Sequence, residues 1–181
     1  MRRTILLLMT TLFLTGCGPG RDRQEFENRR QQLCSAEEIA CDARITAAAE
    51  KETVTFQVHL TCRDGEMAAV VTDPETIRDV SFRKTGTDET LEYDGLILAF
   101  SPAVDAAAPC AGGFTLLEAL REGWLSSLGR AGENVAAELI TPAGDTVSVW
   151  FTEEYEPVYA EIRRGESTEL TLNVEHWEIK E

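Results

Sequence analysis

Histidine is almost missing from this chain: His59 and His176 are the only two in 181 residues. Two isolated histidines do not make a zinc site. His59 falls on the polar side of its segment. There is no H-E-x-x-H helix, no G-x-S-x-G elbow and no glycine-rich phosphate loop. No catalytic residue, metal site or cofactor is expected, and the chain does not read as an enzyme. Basic residues are also few, 17 Lys+Arg against 32 Asp+Glu, for a net charge of -15. That balance excludes nucleic acid, which needs a basic footprint, and argues against lying flat on anionic lipid. Glu153, Glu154 and Glu156 cluster, but without the alternating Asp/Asn-Gly spacing of a calcium loop, so they read as a solvated turn. No long hydrophobic run exists either. The longest, Ile5 to Leu14, is interrupted by Thr10 and Thr11 and is too short for a permanent membrane helix.

That short run has a clear purpose. Arg2 and Arg3 precede it and Leu14-Thr15-Gly16-Cys17 closes it, the layout of an export signal with small residues before the cut. The closing tetrapeptide resembles the lipobox of bacterial lipoproteins. The resemblance implies cleavage before Cys17 and a diacylglycerol on its sulfur. It divides the chain into a cleaved signal (1–16), a lipidated tether (17–22) and a single domain (23–181). Two acyl chains give stable anchoring, so the expected location is the outer face of the cytoplasmic membrane in a Gram-positive-type envelope. The alternative is an ordinary secretory signal whose exit includes a cysteine.

With Cys17 committed to lipid, Cys34, Cys41, Cys62 and Cys110 remain, an even set in a disulfide-permissive compartment. Alternation from Cys41 to Glu50 and from Val54 to Cys62 describes two strands. A turn at Lys51-Glu52 would set Ile45 against Val58, Ala43 against Leu60 and Cys41 against Cys62. That register predicts a Cys41–Cys62 disulfide and leaves Cys34–Cys110 as a second pair. Cys34–Cys41 with Cys62–Cys110 is the competing scheme.

Farther on, Asp64-Gly65 signals a two-residue hairpin turn pairing Leu60 with Ala69 and Val58 with Val71. Gly86-Thr87 sets Phe82 against Leu91, and Asp94-Gly95 sets Leu91 against Leu98. Residues 41–100 thus read as six antiparallel strands with one apolar face. Residues 101–113, with prolines, alanines and Gly112-Gly113, read as a loop. Thr115 to Glu118 has capping-box spacing, and Leu116, Leu117, Leu120 and Trp124 give an amphipathic helix to about Leu125. A bulged turn at Pro142-Ala143-Gly144 sets Leu139 against Val147 and Val135 against Phe151. A last hairpin turns at Arg164-Gly165-Glu166. Arg23 to Leu33 is a thin surface helix with Phe26 and Leu33 as its strong apolar positions. The fold class is α+β: a curved antiparallel sheet of about ten strands, an N-terminal helix and one amphipathic helix packed on the sheet.

This order resembles the LolA/LppX-type open half-barrel. The text of the chain is similar to short clostridial lipoproteins of the germination lipoprotein GerS type. The matching stretches are Val71 to Ile77, Leu91 to Gly95, Ser101-Pro102, Ala119 to Trp124 and Pro157 to Ile162. The resemblance implies a non-catalytic, membrane-anchored module that holds another envelope protein, a cell-wall enzyme in the GerS case. The alternative it implies is a lipid or acyl-chain acceptor using the concave face. Phe56, Val58, Leu60 and Phe82, with Leu116, Leu120 and Trp124, look sufficient to fill that concavity, which favours the first. Trp150 and Trp177 fall out of step with the core-facing series and form a candidate interaction patch on the outer face, unless the N-terminal helix covers them.

Overall fold

Among the described residues, five glycine turns pin the sheet. Asp64 and Gly65 have φ of 52° and 80°, and Asp94 and Gly95 have 49° and 77°, the pair of left-handed residues that a two-residue hairpin demands. Gly86 (φ 60°), Gly132 (φ 68°) and Gly144 (φ 94°) each supply one left-handed residue to three further hairpins. The computed structural model describes residues 19–48, 53–100, 108–164 and 167–181. The expected export signal and Cys17, the expected turns at Lys51-Glu52 and Gly165-Glu166, and residues 101–107 lie outside them.

The elements are α1 (Pro19–Ser35), β1 (Glu38–Ala48), β2 (Thr53–Arg63), β3 (Glu66–Asp73), a 3-10 turn (Glu75–Ile77), β4 (Ser81–Thr85), β5 (Asp88–Tyr93) and β6 (Leu96–Phe100). Then come α2 (Ala108–Glu122), β7 (Trp124–Ala131), β8 (Asn134–Ile140), β9 (Thr146–Phe151), β10 (Pro157–Arg164) and β11 (Ser167–Lys180). The strands form one 11-stranded sheet in the order β6-β5-β4-β3-β2-β1-β11-β10-β9-β8-β7. It is curved, antiparallel and unclosed, with both helices on its concave side. The pairing of β1 with β11 joins the first meander to the second.

Four expected registers are present: Leu60 opposite Ala69, Phe82 opposite Leu91, Leu91 opposite Leu98, and Leu139 opposite Val147. The first hairpin differs. Cys41 pairs with Leu60, and Cys62 pairs with Ile39, a slip of two residues from the expected register. A slip of two keeps every side chain on its face, so the apolar pattern cannot detect it. Only the loop distinguishes the registers, and Lys-Glu carries no turn preference.

Three element boundaries also differ. α1 begins at Pro19, so the span expected as tether is already helical there. α2 begins at Ala108 and runs through Gly112-Gly113; the glycine pair expected to break structure lies inside a helix. Thr115 therefore sits in mid-helix, and its hydroxyl donates to the Ala111 carbonyl at 3.1 Å. Finally, α2 stops at Glu122 and Trp124 opens β7, an eleventh strand that its Ser, Gly and Arg content hid.

The core is the space between α2, α1 and the concave face. Phe26, Ile45, Leu60, Leu116, Leu117, Leu120, Leu139 and Leu172 are among its fully buried members. Phe26 meets Phe151 edge-to-face at 5.8 Å between ring centroids, which docks α1 on the second meander. No helix among the described residues is long and apolar enough to cross a membrane.

Candidate binding surfaces

The concave face is the natural place for a ligand, and α2 occupies it. An added Cβ on Gly113 would lie 2.4 Å from Leu60 Cδ2, and one on Gly112 would lie 2.8 Å from Leu170 Cδ1. Both leucines are buried. Real Cβ atoms do not approach so closely, so the helix backbone rests directly on the sheet. Of the expected concave-face residues, Val58, Leu60, Leu116 and Leu120 are buried there, and Phe56 and Phe82 are partly buried against the same core. Trp124 does not join them: it is 73% exposed on edge strand β7. The helix that would have carried it inward ends one turn earlier, where the Gly123 N–H donates to Ala119 O at 3.0 Å.

Arg30 ties α1 to this helix end. Its guanidinium donates to the carbonyls of Leu120 (3.1 Å), Arg121 (3.2 Å) and Gly123 (2.8 Å), groups that a helix terminus leaves unpaired. On the first-meander side, Lys84 of β4 bridges Glu118 of α2 at 2.5 Å and Glu89 of β5 at 3.5 Å. Burial alone would lower Lys84, but its hydrogen bonds and charge pairing with Glu118 and Glu89 hold it above the ordinary lysine value.

The thiols do not meet as expected. Cys34, Cys41 and Cys62 are free. In the observed register Cys41 and Cys62 are diagonal neighbours, about 7–8 Å apart across a strand pair, beyond disulfide reach. The backbone of Cys110 stands in the first turn of α2, while Cys34 Sγ donates to Arg121 O at the other end, 3.5 Å away. Eleven helical residues span roughly 16 Å. Cys62 also sits at that far end, accepting from Arg121 Nη1 at 3.0 Å. The side chain of Cys110 lies outside the described residues, and the expected Cys34–Cys110 and Cys62–Cys110 pairs fall there with it. Burial, then the charge of Asp42, pushes the Cys41 thiol up to about 12. Burial also raises Cys62, against the opposing charge and hydrogen bond of Arg121.

Trp150 and Trp177 do not share a face. Trp150 lies on the outer side, tilted against Tyr159 with centroids 5.2 Å apart. Trp177 pairs with Cys41 and packs partly buried against the core. A bulge between Asp42 and Ala43 leaves the backbone of Glu175 without an opposite residue in β1, and that extra residue turns the end of β11 over. Trp177 then helps line a cleft of about 250 Å3 with Arg29, Leu33, Phe151 and Tyr155. His59 is on the outer face, its Nδ1 2.7 Å from Asp42 Oδ1, and His176 is exposed.

The two sheet edges differ. α1 lies along β7, where Arg130 pairs with Asp22 at 3.2 Å and Arg30 reaches Gly123 O. On β6, among the described residues, no strand pairs with the outer edge. Leu96 is 68%, Ile97 67% and Leu98 56% exposed. Sequence reasoning assigned Leu98 to the apolar face but missed the exposure of all three. The signal available was Leu96 to Phe100 itself, five apolar residues with no alternation.

No protein-family model matches the chain, and no curated protein matches it. Solved structures do. A LolA superfamily protein from Nitrosomonas europaea aligns with a TM-score of 0.50 at 11% identity, covering 88% of this chain and 94% of that one. A conserved protein from Thermus thermophilus gives 0.50 at 8% identity, covering 87% of each. The CwlD amidase of Clostridioides difficile in complex with the GerS lipoprotein gives 0.38 at 9% identity, over 88% of this chain and 92% of that one; at that score it carries no argument about partners. Identities this low speak to architecture alone. The architecture is that of the LolA/LppX-type half-barrel, an open sheet wrapped around its helices.

Proposed function

We propose that this protein is a membrane-anchored, extracytoplasmic lipoprotein that acts without catalysis, as a binding or scaffold module for another envelope protein. The observation that carries the reading is the fit of α2 on the sheet. With the Gly113 position 2.4 Å from Leu60, α2 leaves no space for an acyl chain between itself and β2. The cleft beside Trp177, at about 250 Å3, is smaller than the roughly 300–1,000 Å3 typical of ligand pockets. A half-barrel held by lipid on Cys17 also cannot ferry cargo away, so its use is local. The four-residue motif ending at Cys17 supports the anchor, and the acidic surface supports a domain that stands off the bilayer.

Two measurements test this. Native mass spectrometry of protein extracted from membranes is expected to give the mass of the lipidated chain alone; stoichiometric extra lipid would establish an acyl-chain acceptor instead. A Cys17→Ala chain is expected to fold normally and leave the membrane fraction. If its biological role survives that release intact, tethering is incidental and the scaffold reading loses its support.

A further inference from the structure

One border of the sheet is guarded and the other is not. Soluble proteins blunt an exposed edge strand with a charge, a proline, a bulge or a covering element. β7 carries a charge, Arg130, and a bulge between Leu125 and Ser127, and α1 packs against it through the Arg130–Asp22 pair and Arg30 on Gly123 O. Among the described residues β6 has none of these devices: its sequence, Leu-Ile-Leu-Ala-Phe, contains no charge and no proline, and its pairing with β5 is regular. Leu96 and Leu98 emerge on one face and Ile97 on the other, all more than half exposed. Such a strand presents apolar side chains in two directions and unpaired backbone groups in a third.

The hairpin geometry fixes which groups are free. Tyr93 and Leu96 close the two-residue turn, and a closing pair exchanges both of its hydrogen bonds. Leu96 and Leu98 therefore direct their N–H and C=O groups toward β5. Ile97 and Ala99 direct theirs outward.

Charge selects the occupant. Residues 81–100 carry Asp88, Glu89, Glu92 and Asp94 against two cations, and both cations are engaged, Arg83 with Glu66 at 2.8 Å and Lys84 with Glu118 and Glu89. The whole chain has a net charge of -15, which opposes a second copy. We infer that β6 is a docking edge that receives, by strand addition, an extended segment of a partner protein with apolar alternate residues and lysine or arginine flanks. This rests on the partner-binding reading above and gives it a location and a chemistry. Backbone hydrogen bonds would supply affinity and the exposed leucines and isoleucine the side-chain contacts.

The test uses the mature lipoprotein in detergent micelles and a fluorescent synthetic peptide, Lys-Lys-Val-Thr-Val-Thr-Val-Lys-Lys, followed by anisotropy. Binding is expected to weaken with salt, with glutamate in place of the lysine flanks, and with N-methylation of alternate amides. Ala99→Pro removes one outward N–H without touching a bond to β5, and is expected to weaken binding about tenfold with an unchanged melting temperature. Ile97→Lys, at an already exposed position, is expected to reproduce the loss and guards against a folding artefact. No binding, or equal binding to wild type and both variants, would overturn the assignment. So would a peptide-free dimer that Ala99→Pro dissolves, which makes a second copy the occupant. Crosslinking in cells separates the two levels. A partner still captured by Ala99→Pro removes β6 but keeps the scaffold reading, whereas bound lipid with no captured protein removes both.

Discussion

Gly112 and Gly113 set the distance between α2 and the sheet, at a cost of about 1 kcal/mol each in helix propensity relative to alanine. Replacing Gly113 with alanine recovers that propensity but drives a methyl into Leu60, which is fully buried. Overpacking of this kind costs about 1–3 kcal/mol. Gly113→Ala is therefore expected to lower stability by a net of up to ~2 kcal/mol in urea denaturation; a raised midpoint would show that α2 can lift without penalty. The thiols supply a second expectation. Cys34 is exposed, Cys62 is buried beside Arg121, and Cys41 is buried with its thiol pushed up to about 12. Thiolate is the reactive form, so iodoacetamide at pH 8 should alkylate Cys34 first and leave Cys41 untouched in the native protein, as read by peptide mass mapping. Rapid labelling of Cys41 would contradict its burial. Residue-level environment was legible where periodicity runs unbroken, as for Val58 and Leu60. It failed for Trp177, because the bulge at Glu175 changes the phase of everything after it and leaves no mark in composition. It failed for Trp124 because helical spacing continues past the point where the helix stops.

At the level of elements, hairpins were legible when two residues alone determine the turn. Asp64-Gly65 and Asp94-Gly95 fix register locally, so Leu60–Ala69 and Leu91–Leu98 follow. The β1–β2 register depended on a loop without turn chemistry and slipped by two. α2 was legible in its leucines but not in its start, since tight helix-on-sheet packing overrides the usual reading of a glycine pair. The link between α2 and the first meander is testable through Lys84. Its pairing with Glu118 and Glu89 holds it above the ordinary lysine value despite burial. A group raised in the folded state contributes stability that is complete below its unfolded pKa and is lost as pH rises through the folded one. The contribution should persist at neutral pH and fade only above about pH 10.4. Compared with wild type, Lys84→Met should be less stable at pH 7, with the difference shrinking as the solution becomes strongly alkaline. A difference that stays constant across that range would mean that the contribution of Lys84 is packing of its aliphatic stem.

For the molecule as a whole, the order of eleven strands places α1 and its N-terminus beside β7 and puts β6 ten strand spacings away, roughly 48 Å along the curve. The joining of the two meanders through β1 and β11 was not legible, because neither strand's own pattern names a partner more than a hundred residues distant. Removing residues 19–35 should strip β7 of its packing against α1 and expose Phe151, the partner of Phe26. The shortened chain is expected to self-associate in light scattering where the intact one is monodisperse; a monodisperse shortened chain would show that α1 is not what guards that border.

The asymmetry between the borders has a consequence for stoichiometry. A sheet with two open edges can propagate, each added strand leaving a new edge on the far side, and the product is a polymer. Here the bulge and the Arg130 charge of β7 oppose growth at one end, so with β6 as the proposed acceptor the assembly is expected to stop at a single addition per chain. Anchored through Cys17 as proposed, such a protein would saturate rather than polymerise on a crowded membrane surface, with one partner retained per copy.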